Sequence, residues 1–249
     1  MFKHVIKRVI KDMKTIFYPA NERGTADHGW LKANFSFSFA GYYDPHKIHF
    51  GALRVLNDDV IDGGTGFGTH PHDNMEIITI PISGALEHKD SMGNVGVIQS
   101  GEVQVMSAGT GVQHSEYNHS KTEAANTLQI WVFPKIRNIQ PRYDQRDFKG
   151  QFKPNEFTTL VTGDKNVDAL WINQDATFSL GEFEEGNSTT YDLKLAGNGA
   201  YVFVLEGSVK IGEQILNKKD ALGVYDTSSI TIDTQVNSRI LIIDVPMLQ

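Results

Sequence analysis

A chain of 249 residues with 40% apolar composition is long enough to bury one large core or two ordinary ones. Its formal net charge of -7 argues against a general binder of nucleic acid or anionic membrane, because neither polyanion is steered toward an acidic surface. With 0 cysteines it has no disulfide, no thiolate ligand and no thiol nucleophile, so any metal must be held by nitrogen and oxygen.

In the opening residues 1–13, Val5, Ile6, Val9, Ile10 and Met13 fall at helical spacing among basic residues. We read them as an adventitious leader before a start at Met13, or as a small docked helix, in preference to a membrane-surface helix. No apolar run is long enough to span a bilayer and no secretory signal pattern is visible, so a cytoplasmic location is expected.

From there the periodicity is that of strands. Residues 75–82, 103–106, 128–133, 201–205 and 240–245 are short, rich in β-branched and aromatic side chains, and mostly bounded by Gly, Asn, Asp or Ser. Many short strands with glycine corners, such as Gly63-Gly64-Thr65-Gly66 and Gly109-Thr110-Gly111, predict an all-β sandwich or barrel. The Asn57-Asp58-Asp59 triplet reads as turn chemistry with a solvated face.

Ile80-Pro81-Ile82-Ser83-Gly84-Ala85-Leu86 is echoed by Val202-Phe203-Val204-Leu205-Glu206-Gly207-Ser208-Val209, which predicts two similar barrels. Residues 134–155 carry Pro134, Pro141, Pro154 and the charged run Arg142-Tyr143-Asp144-Gln145-Arg146-Asp147, and interrupt the strand pattern as a linker would. The expected domains are 13–136 and 137–249. All 9 histidines lie at or before His119, so metal chemistry belongs to the first domain. Aligning Gly84 with Gly207 puts Leu193 and Leu195 where the first half has His70 and His72.

That pair is the chemical signal. Residues two apart on a strand share a face, so His70 and His72, like His114 and Glu116, can converge on one interior point and form a metal site. An isolated His-x-His is as easily a surface turn, and it is the second pair at the same spacing that favours a site. Glu76 is read as an acceptor that fixes a ligand histidine's tautomer, in preference to a ligand. His88 and His119 are expected in loops, and His28 as a structural residue of the Asp27-His28-Gly29-Trp30 turn. Phe50, Phe67, Met75 and Met106 line either an apolar pocket or ordinary core.

Gly64, His70-x-His72 and Glu76, followed by Gly109-x-Gly111-x-x-His114, resemble the two cupin motifs. Glu22-Arg23-Gly24, Asp27-His28-Gly29-Trp30-Leu31, Phe37-Ser38-Phe39-Ala40, Gly66-Phe67-Gly68-Thr69-His70-Pro71-His72 and Met106-Ser107-Ala108-Gly109-Thr110-Gly111-Val112-Gln113-His114-Ser115-Glu116 closely resemble the pirin family, in its bacterial quercetin 2,3-dioxygenase-like branch. The resemblance implies a bicupin with one metal in the N-terminal barrel, held by His70, His72, His114 and Glu116. Glu76 stands where many other cupins place a carboxylate ligand. Nitrogen and oxygen ligands admit Fe(II), the ion the resemblance favours, and equally Mn, Co, Ni, Cu or Zn.

The activity so implied is cleavage of a flavonol by O2 with release of carbon monoxide, Glu116 taking the 3-hydroxyl proton as general base. Its partners are a small aromatic substrate and O2. Two other readings stay open: a metal-dependent regulatory module that binds a protein partner, and an oxygen-independent isomerase. Oxygen consumption separates the first from the dioxygenase, and turnover under nitrogen identifies the second.

Overall fold

Short β-branched segments bury their apolar faces only by pairing edge to edge until sheets can pack over a core. In the computed structural model, which describes residues 13–248, strands run throughout, with one 3-10 turn at Ala20–Glu22 and no α-helix among the described residues. The all-β expectation is borne out, and each of the five segments read as a strand forms one. Residues 1–12, which carry most of the expected leader, lie outside the described residues. Among those described, no helix is long and apolar enough to cross a membrane.

The first unit pairs two sheets. Its seven-stranded sheet runs in the order Arg142–Asp147, Glu102–Ser107, Glu76–Ser83, Ala125–Val132, Leu53–Ile61, Leu31–Phe35, Gly24–Asp27. Its four-stranded sheet runs Gly66–His72, Val112–Asn118, Ala85–Asp90, Val95–Gln99. Leu31, Phe35 and Ile61 of the former meet Leu86 and Ile98 of the latter in one buried cluster. The second unit is a nine-stranded sheet built on two long strands, Asn198–Ile211 and Ser229–Pro246. Their register shifts three times between Val204 and Val209, and such bulges bend a sheet enough to close it around its own core.

The main core lies between the units. Ile78, Ile80, Leu128 and Ile130 of the first pack with Tyr201, Phe203, Leu241 and Ile243 of the second, while the alternating Val202, Val204, Ile240 and Ile242 fill the second unit's interior. Both faces of Asn198–Ile211 are therefore covered over its first half. That is why residues 201–205 read as a continuous apolar run instead of an alternating one.

Two strands cross between units. Lys14–Tyr18 pairs with Ala221–Tyr225 in the second sheet, and Arg142–Asp147 pairs with Glu102–Ser107 in the first. The expected linker thus contains a strand. Its sequence hides this because an edge strand carrying charge has no apolar alternation to betray it. We propose the division near residue 137 for the remainder of the chain, with these two strands exchanged across it.

The Asn57-Asp58-Asp59 triplet is not a turn. It lies inside strand Leu53–Ile61 and all three residues are buried. Asp58 faces the second unit, and Lys219 Nζ of that unit at 3.0 Å and Arg23 of the first at 3.6 Å offset its charge. Asn57 and Asp59 take the opposite face.

Candidate metal centre

The histidines are brought together by strand pairing. Gly66–His72 runs antiparallel to Val112–Asn118 with His70 opposite His114 and His72 opposite Val112, so three imidazoles meet at the same end of the four-stranded sheet. Ring centroids are 4.4 Å apart for His70 and His114, and 4.9 Å for His72 with either of the other two. Each ring offers a nitrogen within 4.8 Å of one on the other two, a separation that one metal ion can bridge.

The protonation states suit ligation. His70 Nδ1 lies 2.8 Å from the Gly68 carbonyl, which fixes the proton there and leaves Nε2 free. His114 is 1% exposed, and neither of its ring nitrogens has a hydrogen-bond partner among the described residues. Burial first, then the neighbouring histidines, push its pKa down to about 3. Burial, then His70, lower His72 to about 4. Two neutral imidazoles, His114 buried and His72 half-buried, fit a cation that takes a nitrogen from each.

Glu116 is 4% exposed and takes the next inward position of Val112–Asn118, where it groups with His114 and His88 and not with the full His70, His72, His114 cluster. Against Gly66–His72 the register slips by one between His114 and Glu116, so Glu116 pairs with Phe67. Its carboxylate comes within 4.8 Å of His114 and His88 nitrogens. Gln129 Nε2 donates to Oε2 at 2.9 Å and Thr79 Oγ1 to Oε1 at 3.4 Å. Burial raises its proton affinity, opposed by His88 and then by the Gln129 amide.

These supports belong to a cross-sheet row. In register, Asn57 lies opposite Gln129, Gln129 opposite Thr79, and Thr79 opposite Gln104, which places four polar side chains on the inner face of the seven-stranded sheet. Gln104 Nε2 reaches His88 Nδ1 at 3.1 Å, and His88 Nε2 donates to Asp90 Oδ2 at 3.1 Å. Both His88 nitrogens are thereby occupied, while those of His114 are not. His88 backs the His114 ring, 5.3 Å away, and His70, His72 and His114 are the better ligand triad.

In front of the histidines opens a cavity of about 470 Å³. Its walls include Trp30, Phe35, Phe39, Phe67 and Trp131, with His70, His72 and Glu116 at one side. Flat aromatic walls beside a cation site suit a planar aromatic ligand with one ionisable oxygen.

The chain's relatives agree with this architecture. Residues 17–132 match the family model described as Pirin, and residues 159–245 match the quercetinase C-terminal cupin domain. Quercetin 2,3-dioxygenase of Escherichia coli K12 is 42% identical over 228 residues, covering 91% of this chain and 96% of that one. A pirin-like protein of Caulobacter vibrioides is 41% identical over 227 residues, covering 91% and 97%. The chain belongs to the pirin family. Among solved structures, the bacterial pirin YhhW from Escherichia coli has a TM-score of 0.90 at 40% identity, covering 95% of this chain and 99% of that one. The nickel(II) complex of YhhW gives 0.89 at 40% identity, covering 94% and 100%. Like other pirins, the chain carries two cupin domains.

Set against this pirin site, several sequence expectations need correction. His88 is not in a loop: it lies on strand Ala85–Asp90, buried behind the site, because Leu86, His88 and Asp90 alternate inward. His28 lines the cavity. Glu76 has no hydrogen bond to a histidine among the described residues; its Oε2 accepts from Ser107 Oγ at 2.7 Å and from the Asn173 backbone N–H of the second unit at 3.0 Å. Phe67 lines the cavity, whereas Phe50 belongs to the core between the units and Met106 and Met75 to a small cluster near Trp131. His119, paired with Glu87 at 2.8 Å, does lie in a loop.

Sequence reasoning missed Asn57, Asp59, Thr79, Gln104 and Gln129. One signal was present: Gln129 interrupts an otherwise apolar strand, and a polar residue at an inward position must have a partner or a purpose.

Proposed function

We propose that this pirin is a metal-dependent dioxygenase of the quercetin 2,3-dioxygenase type, cleaving a flavonol with O2 and releasing carbon monoxide. The observation that carries the reading is His114, whose two buried nitrogens have no hydrogen-bond partner among the described residues, set beside His70 and His72 next to an aromatic cavity. In support, the Escherichia coli relative named quercetin 2,3-dioxygenase aligns with 91% of this chain and 96% of its own length.

In this reading His70, His72, His114 and Glu116 hold one divalent transition metal, with Fe(II) our first assignment. The nickel(II) complex of YhhW shows that a relative accepts another ion of this class. When bound, the ion supplies Lewis acidity toward a phenolic oxygen and a route for electrons to O2.

The chain's own residues do the rest. Trp30, Phe67 and Trp131 hold the flavonol plane and exclude water from the reacting face. Glu116 accepts the 3-hydroxyl proton on its carboxylate, a role suited to a group whose burial raises its proton affinity. Gln129 and Thr79 aim that carboxylate, and the Gln104, His88 and Asp90 chain keeps the His114 ring from tilting back.

Elemental analysis of protein purified without added metal, followed by incubation with quercetin in air and under nitrogen while carbon monoxide is monitored, tests the proposal. Carbon monoxide in air alone is expected. Its absence across several reconstituted ions overturns the dioxygenase reading.

A further inference from the structure

The cavity has a second polar surface that the proposed chemistry leaves unused. Asn57 and Asp59 lie two apart on strand Leu53–Ile61, share a face, and both line the cavity. They are 3% and 5% exposed, and Asn57 Oδ1 and Asp59 Oδ1 have no hydrogen-bond partner among the described residues.

Among the described residues Asp59 also has no salt-bridge partner. Lys219 and Arg23 sit on Asp58, which faces the other way, and the charged groups that act on Asp59 are two further carboxylates, Asp58 and Glu116. A buried acceptor without a donor destabilises a fold by its full desolvation cost, so such groups at a cavity wall mark where a ligand supplies the missing partner. Much of the remaining wall is apolar, with Trp30, Phe35, Phe39 and Phe67 among its residues.

We propose that Asp59, assisted by Asn57, is a specificity-determining residue that hydrogen-bonds a hydroxyl of a planar polyhydroxylated aromatic ligand, at a point other than its reactive oxygen. The proposal rests on the dioxygenase reading for which oxygen faces the histidines, and on the orphaned Asn57 and Asp59 oxygens for the second contact. A neutral phenolic hydroxyl fits because it can donate to the carboxylate.

The test is anaerobic calorimetric titration of metal-loaded protein with quercetin, and with 3-hydroxyflavone, which keeps only the 3-hydroxyl. The native protein is expected to bind quercetin at least about tenfold more tightly, as sites built around a substrate hydroxyl reject analogues lacking it. In Asp59→Leu that ratio is expected to fall to within about threefold, through weaker quercetin binding. A merely structural role would weaken both ligands together and leave the ratio standing. Native protein that binds the two equally overturns the proposal without any variant, as does a ratio that survives in Asp59→Leu.

Carbon monoxide release from the same preparations keeps the two readings apart. Turnover with an unaltered ratio sinks the Asp59 contact and leaves the dioxygenase. A ratio lost in Asp59→Leu, with no carbon monoxide from any preparation, keeps the contact and sinks the dioxygenase.

Discussion

Gln129 Nε2 donates to Glu116 Oε2 at 2.9 Å, joining the middle of the seven-stranded sheet to the histidine-bearing strand Val112–Asn118 of the four-stranded one. A hydrogen bond to a charged group contributes about 1.5–3 kcal/mol, and here it holds the carboxylate that we assign as the base. Gln129→Leu is expected to retain metal and lose about tenfold or more in kcat, as read by elemental analysis and carbon monoxide release. Unchanged turnover would show that Glu116 needs no such aiming.

The proposed ligands divide by role. Glu116→Gln is expected to keep some metal and lose turnover, because an amide oxygen still coordinates weakly but takes no proton. His72→Ala and His114→Ala are expected to lose both. Metal content and O2 uptake measured together decide it, and full activity in Glu116→Gln would remove Glu116 from its assigned role.

Glu76 is expected to behave as a tie between the units. Its carboxylate accepts from Ser107 and the Asn173 N–H and, among the described residues, has no hydrogen bond to a histidine. Glu76→Gln should therefore keep the native metal stoichiometry, with a stability loss of about 1–3 kcal/mol in chemical denaturation. A protein of native stability that loses its metal would make Glu76 a ligand after all.

Asp59 carries a pH signature. Burial, then the charges of Asp58 and Glu116, push its carboxyl up to about 7 from an ordinary 3.8. The fold therefore holds this proton more tightly than the unfolded chain does. Its contribution to stability is complete below about pH 4 and is lost as the pH rises through about 7. Asp59→Asn does not titrate. In metal-free protein it is expected to gain stability relative to the native chain between pH 4 and pH 8, by up to about 4 kcal/mol. Denaturation curves with a constant difference across that range would contradict this.

Much of the fold was legible because its signals are local. Residues 75–82, 128–133 and 240–245 announce strands through β-branched content, and His70-x-His72 with His114-x-Glu116 announces a shared face through period two alone. The Gly84 and Gly207 echo was also sound: both adopt positive φ, +75° and +87°, where a Cβ would strike Ala125 in one case and Ser238 in the other. Arg142–Asp147 escaped notice because an edge strand announces itself only through its partner, Glu102–Ser107.

The amino-acid sequence by itself determined an all-β chain with two related halves and histidines in only the first. It could not determine which face of a strand looks inward. In the central strands of the seven-stranded sheet both faces are largely buried, and the apolar one, with Ile78, Ile80, Leu128 and Ile130, turns toward the second unit. That leaves Asn57, Thr79, Gln104 and Gln129 facing the site, a row assembled from four strands distant in the chain. Period two assigns residues to faces, and only packing against the second unit decided that the polar face would be the inner one.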